Sequence, residues 1–383
     1  MKIEKLALCS GCHTCYSLCS KQAIKMVSND EGFLYPQIDE GLCVKCGLCE
    51  KKCPVLNPLI KDDEKTFAYA VINNNEEIRL QSSSGGVFTA IAEKIIEQNG
   101  IVFGAKFNID FEVVHGWTDT IEGLADFRGS KYVQSKIGDS FKECKKLLDE
   151  RRQVLFSGTP CQIAGLQSFL GKKYDNLLCV DFICHGVPSY SLFSAYKQFV
   201  ERKNCKQLKA IFFRDKTNGW ADYGVKEIFE DNITTIVPHN RHPYMNLYLG
   251  NNCYRESCYD CKFKGNKYFS DITIADFWGV KNYLPEYYDN KGTSLLFCNT
   301  EKGIAKINTL YECRFKEVSY ADMRNLNNSL SGSATRSEKR NFFYKNLYTI
   351  EFFKFYKMYG TKNFFFVNKL KRMMKRFQRV IKK

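Results

Sequence analysis

Residues 9–19 read Cys9-Ser10-Gly11-Cys12-His13-Thr14-Cys15-Tyr16-Ser17-Leu18-Cys19, and residues 43–54 read Cys43-Val44-Lys45-Cys46-Gly47-Leu48-Cys49-Glu50-Lys51-Lys52-Cys53-Pro54. Both runs carry the C-x2-C-x2-C-x3-C spacing of a two-cluster bacterial ferredoxin. Three close thiolates wrap one face of an iron-sulfur cube, and the fourth cysteine is carried on a helical turn towards the other cluster. The spacing therefore assigns Cys9, Cys12, Cys15 and Cys53 to one [4Fe-4S] cluster and Cys43, Cys46, Cys49 and Cys19 to a second. Gly11 and Gly47 recur at matching places, where a chain turning tightly around sulfide gains from having no side chain. Between the runs, residues 23–27 and 33–38 are expected as short strands joined by a turn at 29–32. A zinc ribbon offers two CxxC pairs, not two runs of four, so iron-sulfur is the expectation. Ser20 stands where the pattern has proline, which leaves the turn after Cys19 less constrained than the one after Cys53.

At 383 residues the chain is long enough for two or three domains. A hydrophobic share of 44% and an aromatic share of 14% describe a folded protein. No run approaches the roughly 18 apolar residues of a spanning helix. Eighteen cysteines without a secretion signal before Cys9 argue for thiolate ligands in a reducing cytoplasm, not for disulfides. The formal charge of +15 is unevenly placed: from Lys354 onward there are eleven Lys or Arg and no Asp or Glu. The basicity belongs to the tail, and nucleic acid is not expected as a partner.

Further along, residues 57–65 read as a linker, 66–72 as a strand and 87–98 as a helix. The Ser/Gly turn at 81–86 opens that helix, an arrangement that offers amides and hydroxyls to phosphate but equally serves as a plain N-cap. Strands are expected at 101–107 and 111–117 and a helix at 140–149. Residues 128–135 group a cation, hydroxyls and a tyrosine in a loop. The strand at 154–156 runs into Cys161 at a helix start, and the strand at 177–183 ends at Cys184, followed by a helix through Phe199. Open α/β sheets place their sites at such strand ends. A strand at 207–214 and a hairpin through Val237 precede Cys258 and Cys261, a CxxC pair before the strand of residues 270–279. With Cys161 and Cys184 this makes four sulfurs, the count of one more cluster or of a structural zinc. Packing is the expectation for Cys144, Cys179, Cys205, Cys298 and Cys313, with Cys253 ambiguous.

In order, the two ferredoxin runs, SSSGGVFTA at 82–90, RGSKYVQS at 128–135, SGTPCQIAGL at 157–166, DFICHGVPS at 181–189, SCYDCKFKG at 257–265 and SDITIADFWG at 270–279 resemble the coenzyme F420 hydrogenase/dehydrogenase beta-subunit family. The resemblance covers roughly residues 5–320. It implies FAD and a third [4Fe-4S] cluster with Cys161, Cys184, Cys258 and Cys261 as ligands. It also implies FAD contacts at Ser84, Gly85 and Gly86 and at Ser130, Lys131, Tyr132 and Gln134. The implied divisions are a ferredoxin-type domain at 1–60, the family's N-terminal domain at 61–150, its C-terminal domain at 151–320 and a helical basic tail at 321–383. Coenzyme F420 is one substrate used in the family and is not assumed for this chain.

The fold expected is α+β and α/β: a ferredoxin-like module, a mixed-sheet body and a helical tail. The function expected is an FAD-dependent iron-sulfur oxidoreductase that passes electrons from a ferredoxin-like donor through its clusters and flavin to a two-electron acceptor. The alternatives are a non-catalytic electron-transfer subunit working with a redox enzyme partner and an iron-sulfur scaffold without flavin. His185 is the candidate proton donor, against a packing role beside Cys184.

In the tail, Phe366, Leu370, Met373, Phe377 and Val380 line one side of a helix, and Lys369, Lys371, Arg372, Lys375, Arg376, Arg379, Lys382 and Lys383 fill the rest. An apolar stripe framed by cations suits the anionic inner face of a membrane, while docking on the body or on an acidic partner are the other readings. The full chain is expected to co-sediment with anionic liposomes, and a chain ending at Gly360 to stay in solution. Binding by the full chain that is absent or insensitive to salt would reject the membrane contact, because charges of this kind are screened.

Overall fold

The computed structural model describes residues 2–59, 65–265 and 269–360. In chain order its strands are β1 (Ile24–Ser28), β2 (Leu34–Ile38), β3 (Phe67–Asn73), β4 (Ile101–Phe107), β5 (Val113–Thr118), β6 (Val154–Gly158), β7 (Leu177–Phe182), β8 (Leu208–Asp215), β9 (Gly224–Phe229), β10 (Thr234–Pro238), β11 (Ile272–Asp276), β12 (Ser294–Cys298) and β13 (Cys313–Val318). The helices that position the site are α1 (Thr14–Leu18), α2 (Leu48–Lys51), α3 (Glu76–Gln81), α4 (Val87–Ile96), α5 (Ser140–Asp149), α6 (Pro160–Leu170), α7 (Tyr190–Asn204), α8 (Pro243–Leu249) and α9 (Glu256–Tyr259).

Eight strands form one mixed sheet in the order β13-β3-β12-β11-β7-β6-β4-β5. Its centre, β4-β6-β7-β11, is parallel. These strands are apolar almost throughout because both faces are covered. On β6, Leu155 packs with α4, while Val154 and Phe156 pack with α5 and α6 on the opposite face. The flanking β5, β12, β3 and β13 run antiparallel to their neighbours. Strands from both sides of residue 150 thus share a single sheet.

A second, antiparallel sheet, β10-β9-β8, packs with α7, α8 and the helices Arg340–Thr349 and Phe352–Tyr359 around an aromatic core that includes Tyr196, Phe213, Tyr244, Phe343 and Phe355. The expected tail is helical as far as residue 360: its last two described helices belong to this core, while Met323 and Leu330, earlier in it, pack with strands of the large sheet. The stripe from Phe366 to Val380 lies outside the described residues. Among the described residues no helix is long and apolar enough to cross a membrane.

The N-terminal module consists of α1, α2 and the hairpin β1-β2, paired Ile24 to Ile38 through Ser28 to Leu34. Asn29 builds the turn, its side-chain oxygen accepting from the amides of Glu31 and Phe33. Gly32 closes it at φ 82°, and a Cβ there would lie 2.0 Å from Ser191 Oγ. The hairpin tip is pressed on the body. Phe33 is buried in the aromatic core against Tyr344, with ring centroids 5.5 Å apart. Beside it Glu31 accepts two hydrogen bonds of 2.6 Å from Arg340, which is 1% exposed.

Removing the carboxylate would leave that guanidinium buried with, among the described residues, only Glu256, 3.7 Å away, to offset it. Glu31→Gln is expected to lower stability by about 2 kcal/mol, read as an earlier unfolding midpoint in urea.

Candidate functional site

The loop from Cys9 to Cys15 folds over a cavity that is also lined by Cys53 from the second run. His13 takes the left-handed conformation at φ 63° and starts α1, which turns the Cys12 and Cys15 side of the loop inwards. Burial raises the thiol pKa of Cys12, Cys15 and Cys53, and the charges of neighbouring cysteines in this group raise them further. The four cysteines assigned together by crossover are thus gathered at one place. Ser10 Oγ, Ser17 Oγ and His13 Nδ1 are buried there without a hydrogen-bond partner. Of the second set, Cys46 is exposed and Cys49 is buried, its thiol raised by burial and then by Glu50 and Cys46. Cys19 packs with Cys49 against Ile3 and Ile24. Cys43 is half-buried.

In the body, Cys161 occupies the first turn of α6, directly after β6, and Cys184 follows the end of β7 by two residues. Local chemistry fixes the start of α6: Gln162 accepts from the amide of Thr159, and Pro160 occupies the first turn. Cys258 lies in α9 and Cys261 just beyond it. The four thiols are close enough for each one's charge to act on its neighbours. Burial, then neighbouring cysteines, hold Cys161 well above the usual thiol range and push Cys184 up to about 12; burial pushes Cys258 up to about 11. A thiolate here needs a cation to compensate it, which a metal centre supplies. Among the described residues no three His, Cys, Asp or Glu side chains converge closely enough for a single metal ion. Thiolates about 2.3 Å from one zinc would crowd together, whereas a four-iron cube holds its thiolates farther apart.

Of the cysteines expected to pack, Cys144, Cys179, Cys298 and Cys313 are buried. Cys253 joins them, fully buried in the aromatic core. Cys205 is a correction. It is exposed and left-handed at φ 54°, capping the end of α7, where the helix leaves the core.

Helix α6 joins the two groups of thiols. Thr14 Oγ1 donates to the carbonyl of Gly165 at 2.9 Å, and a Cβ on Gly165 would lie 2.9 Å from Cys12 Cβ and 3.3 Å from its sulfur. Cys161 is four residues earlier on the same helix, about one turn away. Arg255 makes a second junction: its Nε donates to the Cys9 carbonyl at 2.5 Å, and its own carbonyl accepts from the Cys258 amide.

The Ser84-Gly85-Gly86 turn lies at the same edge of the large sheet, beyond the end of β3 and against the start of β12. Ser84 Oγ donates to the Thr293 carbonyl, the Gly85 amide to Ser294 Oγ, and the Asn73 amide to the Gly85 carbonyl. Much of the turn's hydrogen bonding is spent on the sheet. Its neighbour Ser83 accepts from the Ser130 amide at 2.8 Å, which brings the two predicted flavin stretches together. Lys131 Nζ donates to the carbonyls of Asp126 and Arg128. The Tyr132 carbonyl accepts from Tyr244. Gln134 faces elsewhere, bonded to the Ser10 carbonyl and to Arg255 at the seat of the module. His185 contacts Ser329 Oγ through Nδ1 and Asn251 Oδ1 through Nε2, and burial lowers its pKa.

Sequence reading missed a buried basic cluster beside this turn. Arg214 makes two hydrogen bonds to Asp276, at 2.7 and 2.9 Å, and a third to the Ser83 carbonyl. Its Nε is buried without a partner. The guanidinium lies 4.2 Å from the Tyr223 ring centre, and Trp278 stacks on Trp220 at 4.5 Å. Lys216 Nζ bonds the carbonyls of Arg79, Ser84 and Lys291, and burial, then Arg214, draws its pKa down to about 7. The available signal was Arg214-Asp215-Lys216, a charged run ending an apolar strand.

A Cβ at Gly85 would meet the Val71 carbonyl at 2.4 Å and the Ser294 amide at 2.6 Å, so the glycine serves the close approach of turn and sheet. Gly85→Ala is expected to cost at least about 2 kcal/mol, seen as a lower melting midpoint with or without added FAD. Unchanged stability with lost flavin retention would instead assign the glycine to ligand contact.

Residues 151–322 match the family model for the C terminus of the beta subunit of coenzyme F420 hydrogenase/dehydrogenase, and residues 8–57 match that of the 4Fe-4S dicluster domain. No curated protein matches the chain in sequence. Among solved structures, one from a xenon derivatization of the F420-reducing [NiFe] hydrogenase complex from Methanosarcina barkeri is similar at 16% identity and a TM-score of 0.47. The match covers 70% of this chain and 90% of that one. From the two family matches, the chain carries a 4Fe-4S dicluster domain at residues 8–57, followed at residues 151–322 by a region similar to the C terminus of the coenzyme F420 hydrogenase/dehydrogenase beta subunit.

Proposed function

We propose that the protein is a cytoplasmic FAD-dependent iron-sulfur oxidoreductase. It takes single electrons from a ferredoxin-like donor and delivers them in pairs to an acceptor at the sheet edge. The observation that carries this reading is the gathering of Cys161, Cys184, Cys258 and Cys261, one helical turn from the seat of the dicluster domain. In this reading Cys9, Cys12, Cys15 and Cys53 hold the inner [4Fe-4S] cluster of the module, Cys43, Cys46, Cys49 and Cys19 the outer one, and the four body cysteines a third. Bound iron would reverse the effect of burial on each thiol and hold it as thiolate.

FAD supplies the exchange between one- and two-electron chemistry when bound. The chain's part is to seat it. Ser83, Ser84, Gly86 and Ser130 form the polar rim at the start of α4, and Arg214, with its unpartnered Nε, and Lys216 offer positive charge beside it. Gly129 has open space where a Cβ would stand, as the approach of a ligand requires. His185 is given an orienting role near Cys184 instead of proton transfer, because Ser329 and Asn251 occupy both ring nitrogens. Nothing in this basic cluster calls for coenzyme F420 over another two-electron acceptor. Between the dicluster domain and the tail, the proposed divisions remain 61–150 and 151–320, as two parts of one sheet.

Protein purified without oxygen is expected to hold about twelve irons per chain, four for each cube, and to release FAD on denaturation. Cys258→Ala is expected to lower the count to about eight. An unsubstituted chain that already holds about eight, or that carries zinc in the body site, would overturn the third cluster. Reduced ferredoxin with a panel of two-electron acceptors then tests turnover; a fully loaded, inactive chain would be an electron-transfer subunit of a larger enzyme.

A further inference from the structure

Arg255 is fully buried, at 0% exposure, and a guanidinium does not give up its proton at any ordinary pH. Its hydrogen bonds all go to neutral oxygens: Nε to the Cys9 carbonyl at 2.5 Å, Nη1 to Gln134 Oε1 at 3.2 Å and Nη2 to the Leu34 carbonyl at 2.9 Å. The rings of Tyr35 and Phe33 flank it, 4.2 and 5.4 Å from the guanidinium carbon. Two carboxylates lie in the neighbourhood, and both are claimed by other cations. Glu31 is paired with Arg340, and Glu256 with Arg336 and more distantly Arg340. Among the described residues three guanidiniums thus face two carboxylates, and the one without a carboxylate partner is Arg255. A buried charge in that position is expensive unless an anion compensates it.

The chain is shaped to press this cation onto the Cys9–Cys15 loop. Gly11, at φ 68°, has no Cβ, and one placed there would come within 2.9 Å of Arg255 Nη1 and 3.0 Å of Gln134 Nε2. The four thiolates outweigh the net positive charge of the iron-sulfide core, so the group as a whole is anionic. We propose that Arg255 is the counter-charge of the cluster held by Cys9, Cys12, Cys15 and Cys53, and that it makes transfer of an electron from the outer to the inner cluster of the module favourable. The inference rests on the ligand sets of the proposed function.

The two clusters have the same ligand spacing but unlike surroundings. Around the outer one, Cys46 is exposed, as are Leu42, Val44 and Leu48, so water screens an added negative charge. Around the inner one, Cys12 is buried against α6, and burial alone opposes reduction. Without a nearby cation the electron would stay on the outer cluster. Arg255 reverses that order through a field that little water screens. The step moves one electron from the reduced outer cluster to the oxidised inner one; no bond breaks and no proton moves, and the ferredoxin-like donor replaces the electron.

The test is a redox titration of the loaded protein in a Cys258→Ala background, which removes the third and equally buried cluster from the signal, followed by electron paramagnetic resonance, with a dysprosium chelate in solution to broaden the signal of the solvent-facing cluster. In this background, otherwise unsubstituted, the signal that the chelate spares is expected to appear first on reduction. Arg255→Gln is expected to make that cluster at least tenfold harder to reduce, about 59 mV for one electron, while the broadened signal stays in place. Arg255→Lys is expected to recover most of the shift. A spared cluster that reduces second in this background, otherwise unsubstituted, would overturn the proposal, whether or not the Arg255 variants load iron. So would a fully loaded Arg255→Gln with unchanged potentials. Iron analysis separates these results from failure of the ligand assignment, which would leave the module without two four-iron clusters.

Discussion

Contact between the module and the body depends on a bare stretch of α6. Gly165 presents backbone to the Cys12 loop, and Thr14 closes the approach with a hydrogen bond to its carbonyl. Any side chain at this point would stand in the space that Cys12 fills. The same helix carries Cys161 in its first turn, and β6 fixes where that turn begins. A single rigid rod therefore sets the spacing between the inner thiols of the module and those of the body. The hairpin docking and the contacts of Arg255 hold the module against that rod from the other side.

Charge in this region follows from the depth of the packing. Burial pushes the thiols towards their neutral form, and it leaves cations such as Arg255 and Arg214 with few partners to choose from. Arg214 resolves the conflict within the protein by bonding Asp276 on both oxygens, with Trp220 donating to the same carboxylate. Among the described residues Arg255 has no such carboxylate. The difference separates a cation that is paired within the fold from one whose field is left over for something else.

Much of this arrangement was legible in the residues. The two cysteine runs, the short hairpin between them and the cysteines at the ends of β6 and β7 follow from spacing and from apolar runs bounded by turn residues, and both kinds of signal are local. Side-chain contacts across long stretches of chain were not legible. Gln134 sits in a stretch that resembles a flavin loop, yet its amide is bonded to Ser10 and Arg255, because the module folds back over that loop. Gly85 looked like a phosphate turn, but its close neighbours are strands β3 and β12, whose adjacency no periodicity reveals. Cys205 shows the opposite failure. Composition favours burial for a lone cysteine, and only its place at the end of α7 shows that it is in water.

The pairing of Arg340 with Glu31 spans 309 positions of sequence. During synthesis the cysteine loops emerge first and the arginine that locks the hairpin emerges near the end. For most of translation the hairpin tip therefore lacks its ion-pair partner. Only when the C-terminal helices pack on α7 and α8 does Arg340 reach the hairpin tip. Docking of the module at this point is thus a contact between the two ends of the described chain, and it can be completed only after nearly all of that chain has been made.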